Sequence, residues 1–171
     1  MNLEFEIDKL THSIENAQTG ENYPTDILPF MRQDLSQAGK KNGWNFDWGK
    51  ELNNTSKEVY KLVLCKQPEK IQGLVSLTSQ IGYILMNLIE SSPLNIGQNK
   101  LHRGVAGNLV AFVCKLSFLK GFEGYVAFDA KTVLINHYII SLGAISVGGQ
   151  RMIIETNAAK FLINKYYPDF F

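Results

Sequence analysis

Two cysteines, three histidines and five prolines are all that this chain has of the residues that mark disulfide scaffolds, metal centres and proline-rich linkers. Cys65 and Cys114 lie in apolar contexts without CxxC spacing, so both read as buried free thiols. No two of His12, His102 and His137 stand at ligand spacing, and no metal site is expected. No Gly-x-Ser-x-Gly is present, and Cys114 falls inside an apolar helical run, so neither a serine nor a cysteine nucleophile is indicated. A Gly-x-Gly-x-x-Gly after the first strand is missing as well, which argues against a dinucleotide-binding domain. Charge of one sign is not in excess: 17 basic and 16 acidic residues leave a net charge of +1, so bulk charge does not indicate nucleic acid. No apolar run reaches the roughly 20 residues that span a bilayer. The opening residues carry Glu4, Glu6 and Asp8 where a targeting segment would be basic. A soluble, cytoplasmic protein with no membrane partner is expected.

What is present is an ordinary globular composition, 45% hydrophobic and 19% charged, in 171 residues. A chain of this length buries roughly 70% of the surface that its unfolded form exposes. Residues 1–58 read as an extension packed on a main domain of residues 59–171, the two making one globular unit. Residues 1–8 alternate as a half-buried strand would, while Leu3, Ile7, Leu10 and Ile14 fit a helix running on to Ile14, so the element type stays open. Thr25-Asp26 reads as a helix start, with Ile27, Leu28, Met31 and Leu35 following at helical spacing. Trp44 and Trp48 then read as the aromatic anchors that pin this region onto the core, or as a wall of a cleft.

From Val59 the pattern changes to strands. Tyr60–Lys66 and Ile71–Thr78 read as a hairpin turning over Gln67–Lys70, and Tyr83–Glu90 reads as a central strand. A loop leads to Arg103-Gly-Val-Ala-Gly-Asn108 and then to an apolar helix ending near Gly121. A short strand follows at Tyr125–Phe128, and a helix along Val133–Leu142 comes next. Two more strands flank Gly148-Gly149, and Ala158–Tyr167 forms a last helix. The order β-β-β-α-β-α-β-β-α predicts an α+β fold with a mixed central sheet flanked by helices. The strand–helix–strand unit around Gly104 predicts a right-handed crossover between parallel strands. The glycine-rich turn into a helix is a phosphate-binding arrangement, because the first N–H groups of a helix have no internal partner and its dipole is positive there.

This order, with Arg103-Gly-Val-Ala-Gly-Asn108, the strand end Leu88-Ile-Glu90, and Tyr138 ahead of Leu142-Gly143-Ala144, resembles the GNAT superfamily of N-acetyltransferases over residues 59–155. The resemblance implies a GNAT-like fold and an acetyl-CoA-dependent N-acetyltransferase, in which a small-molecule or peptide amine attacks the acetyl group directly. It implies acetyl-CoA (CoA) along the strand end at Leu88, Ile89 and Glu90. The pyrophosphate would lie on Arg103, Gly104, Val105, Ala106, Gly107 and Asn108. It also implies Glu90 as the base and Tyr138 as the acid. Late strands often pair subunits in such proteins, which leaves a homodimer as an open expectation. Two further readings stay open: a non-catalytic acyl-CoA-binding or regulatory module, and an interaction protein that binds no cofactor.

Overall fold

The computed structural model describes residues 1–171. Strands β1 (Ile14–Asn16), β2 (Asn22–Tyr23) and β3 (Thr25–Pro29) precede helix α1 (Trp48–Asn53). Strands β4 (Glu58–Leu64), β5 (Gln67–Ser79), β6 (Ile84–Ser91) and β7 (His102–Arg103) lead to helix α2 (Val105–Leu119). Strand β8 (Val126–Asp129), helix α3 (Ile135–Leu142), strands β9 (Ile145–Ser146) and β10 (Arg151–Ile154), and helix α4 (Thr156–Tyr166) complete the chain. Seven strands form one mixed sheet in the order β3-β4-β5-β6-β8-β10-β9, and β2-β1-β7 form a small second sheet. The mixed sheet flanked by helices is the fold class expected, and past residue 58 the only addition to the expected order is the two-residue β7. No helix is long and apolar enough to cross a membrane.

Helix α2 explains its own composition. It packs on β5 and β6 on one side and on α4 on the other, so residues from Val105 to Cys114 are nearly all buried. Its approach to β5 depends on Gly73: a Cβ there would stand 2.7 Å from Val105 Cγ1 and 3.0 Å from Leu109 Cδ1. Gly73→Ala is therefore expected to lower stability by about 1–3 kcal/mol, read as a lower denaturant midpoint. An unchanged midpoint would mean that α2 can shift freely on the sheet.

The strands on either side of α2 are parallel, as expected: β6 and β8 pair, but only at Ile84 with Val126 and Leu85 with Ala127. Beyond that point the two strands part. From Met86 to Ser91, the edge of β6 that faces β8 has no strand beside it. Part of the gap is taken by residues 1–13. This stretch is neither a regular strand nor a helix before β1; it runs extended, with Leu3 bridged to Ala130 at the edge of β8.

Three local expectations are corrected. Residues 25–29 form β3, an edge strand on β4, and not a helix; only a short 3-10 turn, Arg32–Ser36, follows. Pro29 supplies the reason. It lacks an N–H and would break a helix interior, whereas an outer strand tolerates it. The hairpin turns at Cys65-Lys66, with β5 already under way at Gln67. Cys65 is accordingly exposed on that turn, and only Cys114 is the buried thiol expected, its pKa pushed far up by burial. Trp44 and Trp48 join the core cluster that also holds Leu3, Ile14 and Phe30.

Candidate active site

Glu90 lies near the end of β6, 5% exposed, with both carboxylate oxygens occupied. Trp48 Nε1 donates to Oε1 at 2.8 Å, and the Asn45 backbone N–H donates to Oε2 at 2.7 Å. Asp47 caps α1 by accepting from the Lys50 N–H, and this fixes the start of the helix that carries Trp48. Three buried residues are glutamates, and the other two, Glu15 and Glu51, pair with Lys9 and Lys57. Glu90 pairs with no cation. A buried carboxylate held by two neutral donors keeps its hydrogen-bonding demand met but not its charge.

Glu90 lines a cavity of about 700 Å³. The cavity is bounded by the end of β6 at Ile89–Ser91, by Val105 and Ala106 at the start of α2, by Lys100, and by the extended segment at Met1–Glu6 and Asp8. Leu88, on the same strand, is buried beside a smaller cavity. Val105 and Ala106, in the first turn of α2, border this cavity. The N–H groups of Val105, Ala106 and Gly107 bond no acceptor in the protein, and Asn108 N–H is the first to close on a helical carbonyl, that of Gly104. Asn108 thus spends its N–H inside the helix, and its side chain donates to Thr25 Oγ1 at 3.1 Å.

Gly104 adopts φ 88°, a left-handed conformation that glycine takes without strain, and its N–H donates to Asp8 Oδ1 at 3.1 Å. The other Asp8 oxygen accepts from Lys100 Nζ at 2.9 Å. A Cβ on Gly104 would fall onto the Thr11 side chain, and one on Gly107 would stand 2.6 Å from Tyr166 Oη. The close approach that these glycines permit is used by the chain's own residues. Arg103 is exposed, with no ion pair, beside a second, polar cavity that it shares with Lys100.

Tyr138 is fully buried on α3 and does not line the large cavity. Its hydroxyl donates to the Phe5 carbonyl at 2.5 Å, and its ring stacks on Phe5 and meets Phe128 edge-on. Burial, and then the carboxylates of Glu4 and Glu6, hold its pKa far above the ordinary phenol value. Next to it, His137 Nε2 accepts from the Ile7 N–H at 3.0 Å. His102, its pKa lowered by burial and by nearby Lys70, bonds the Asn95 side chain.

Asn45, Asp8 and Thr11 carry no local signal in the sequence that marks them as neighbours of the site. The tryptophan pair was the one available signal, and Trp48 proves to reach both the core and Glu90.

The fold and these positions can be set beside known proteins. No protein-family profile matches the chain, and no curated protein does at a significant level. Solved structures do match. Mutant forms of the spermidine/spermine N-acetyltransferase SpeG from Vibrio cholerae align with 80% of this chain and 96% of their own at a TM-score of 0.58 and 13% identity. The complex of the Vibrio cholerae spermidine N-acetyltransferase with CoA and spermine covers 80% and 98% at a TM-score of 0.56 and 13% identity. AtaTR bound with acetyl-CoA covers 81% and 97% at a TM-score of 0.56 and 15% identity. The fold of this chain is that of the GNAT N-acetyltransferases. Within this fold, the end of β6 where it has parted from β8 and the first residues of α2 border the large cavity.

Proposed function

We propose that this chain is an acetyl-CoA-dependent N-acetyltransferase acting on a small amine. The observation that carries the reading is Glu90: a buried carboxylate without a cation partner, at the end of a central strand, facing a cavity in a fold whose solved neighbours include complexes with acetyl-CoA and with CoA and spermine. Acetyl-CoA, when bound, supplies an activated acetyl thioester. The free edge of β6 from Met86 to Ser91 offers backbone groups to the amides of a pantetheine arm, as a strand edge does for any extended partner. The unpaired N–H groups of Val105, Ala106 and Gly107 suit a diphosphate, with Arg103 and Lys100 adding positive charge. Asn108 is not among these donors, since its N–H is used within the helix.

Glu90 has two tasks in this reading. Its uncompensated charge draws an ammonium into the cavity, and it takes the proton that the amine must lose before it can attack. Trp48 and Asn45 hold the carboxylate in one orientation, so little reorganisation accompanies the transfer. Tyr138 keeps its proton at neutral pH and is the donor to a departing thiolate, provided its hydroxyl is released from the Phe5 carbonyl.

The test is release of free thiol from acetyl-CoA over a panel of mono-, di- and polyamines, with acetylated product identified by mass. Amine-dependent thiol release supports the reading; none with any amine, at saturating acetyl-CoA, overturns it. Arg103→Glu places an acid at the turn and is expected to weaken acetyl-CoA binding about tenfold, measured by calorimetric titration, with the melting temperature unchanged. Equal affinity in that variant would remove Arg103 from the phosphate site. A rival reading, in which the cleft is permanently filled and no cofactor binds, is favoured by one observation, the Asp8 carboxylate on Gly104.

A further inference from the structure

We infer that residues 3–13 are a displaceable strap that takes part of the cofactor's place, with the Asp8 carboxylate standing where a phosphate would bind; the inference rests on the acetyl-CoA reading. The local sequence explains the geometry. Leu3, Phe5 and Ile7 alternate with Glu4, Glu6 and Asp8, so an extended chain turns one apolar row inward and one acidic row outward. Leu3 and Ile7 are buried, and Leu3 exchanges backbone bonds with β8 and its continuation: its N–H donates to Asp129 O at 2.6 Å, and its carbonyl accepts from Lys131 N–H at 2.9 Å. The segment therefore lies along the part of β8 that β6 has left.

Further anchors follow along the strap. Phe5 O accepts from Tyr138 Oη, Ile7 N–H donates to His137 Nε2, and Thr11 N–H donates to Tyr166 Oη at 3.0 Å. Asp8 is the decisive one. One of its oxygens sits on an N–H at the positive end of α2, and the other sits on an ammonium. Those are the two kinds of partner that an anionic phosphate oxygen takes at a helix start. A diphosphate arriving there would meet a carboxylate of like charge, already holding Gly104 and Lys100.

The same contacts make withdrawal feasible. The strap is held by Leu3 and Ile7 in the core and by separate polar contacts on β8, α2, α3 and α4, and it pairs into no ladder, so its withdrawal breaks no strand pairing of the main sheet. Its withdrawal uncovers together the Gly104 N–H, the Lys100 ammonium, the Tyr138 hydroxyl and the free edge of β8. Two of these are groups that phosphate binding uses, and one is the proton donor. Cofactor and strap are thus competing occupants, and the protein with the strap in place is the closed state.

The experiment is hydrogen–deuterium exchange of residues 3–13 in the full chain, with and without saturating acetyl-CoA, beside acetyl-CoA titrations of the wild type and Asp8→Asn. The asparagine can still accept from the Gly104 N–H but carries no charge, so that N–H keeps its acceptor. Faster exchange of residues 3–13 in the presence of acetyl-CoA, and at least about tenfold tighter binding by Asp8→Asn, are expected. Binding by Asp8→Asn alone, with none by the wild type, supports the strap equally. Binding with unchanged or greater protection of residues 3–13, or unchanged affinity in Asp8→Asn, overturns the strap and leaves the functional reading standing. Binding by neither protein overturns the functional reading, and the strap's competition with a cofactor goes with it.

Discussion

Glu90→Gln is expected to cut turnover by a factor of about 10²–10⁴, with acetyl-CoA still binding. The amide cannot take the proton of an ammonium, so the chemical step loses its base. The variant also carries a structural cost that can be separated from the chemical one. Both oxygens of Glu90 accept from fixed donors, Trp48 Nε1 and the Asn45 N–H. A glutamine has one accepting oxygen, so one donor is left facing an NH₂ group, at about 1–3 kcal/mol. Melting temperature reports that loss, and steady-state kinetics below the melting range report the other. Full turnover by Glu90→Gln would reject the base.

Trp48→Ala is expected to be the most destabilising of the substitutions considered, by about 3–5 kcal/mol. Trp48 is only 1% exposed and is among the largest fully buried side chains of the core, so its removal leaves a cavity. The same change removes the donor to Glu90 Oε1 and strands a buried carboxylate oxygen. A fall in melting temperature of about 10 °C follows from the size of the chain, and the remaining folded protein should turn over more slowly than wild type. A fall of only one or two degrees would mean that Trp48 is not the pin between the residue 44–53 region and β6.

The order of elements past residue 58 was legible because each signal is local: alternation or apolar runs in the strands, apolar spacing in the helices, glycine at their ends. The misread elements are those where a local signal was ambiguous and a long-range partner decided. Ile27, Leu28 and Met31 fit a helix, yet β4 was available to pair with β3 and Pro29 opposed the helix. Residues 1–14 fitted two periods, and neither prevailed in residues 1–13, because distant partners on β8, α2, α3 and α4 hold that stretch. The site shows the same limit. Glu90 and the glycine turn carry readable signals, while the groups that orient Glu90 lie 42 and 45 residues away in sequence. The acid that covers the turn is more remote still, 96 residues from Gly104. Tyr138 was legible as a residue of interest, but its bond to Phe5 was not, since 133 residues separate the two.

The most direct test of the central claim is a thermal-shift titration of the full chain with acetyl-CoA, CoA and an adenine nucleotide that lacks pantetheine. A ligand that binds only the folded state adds about 2.7 kcal/mol at a hundred times its Kd, a rise of about 5–10 °C for a chain of this size. That rise is expected with acetyl-CoA and CoA, a smaller one with the nucleotide, and a larger one for Asp8→Asn than for wild type at equal acetyl-CoA. No rise in either protein at millimolar acetyl-CoA would contradict the claim.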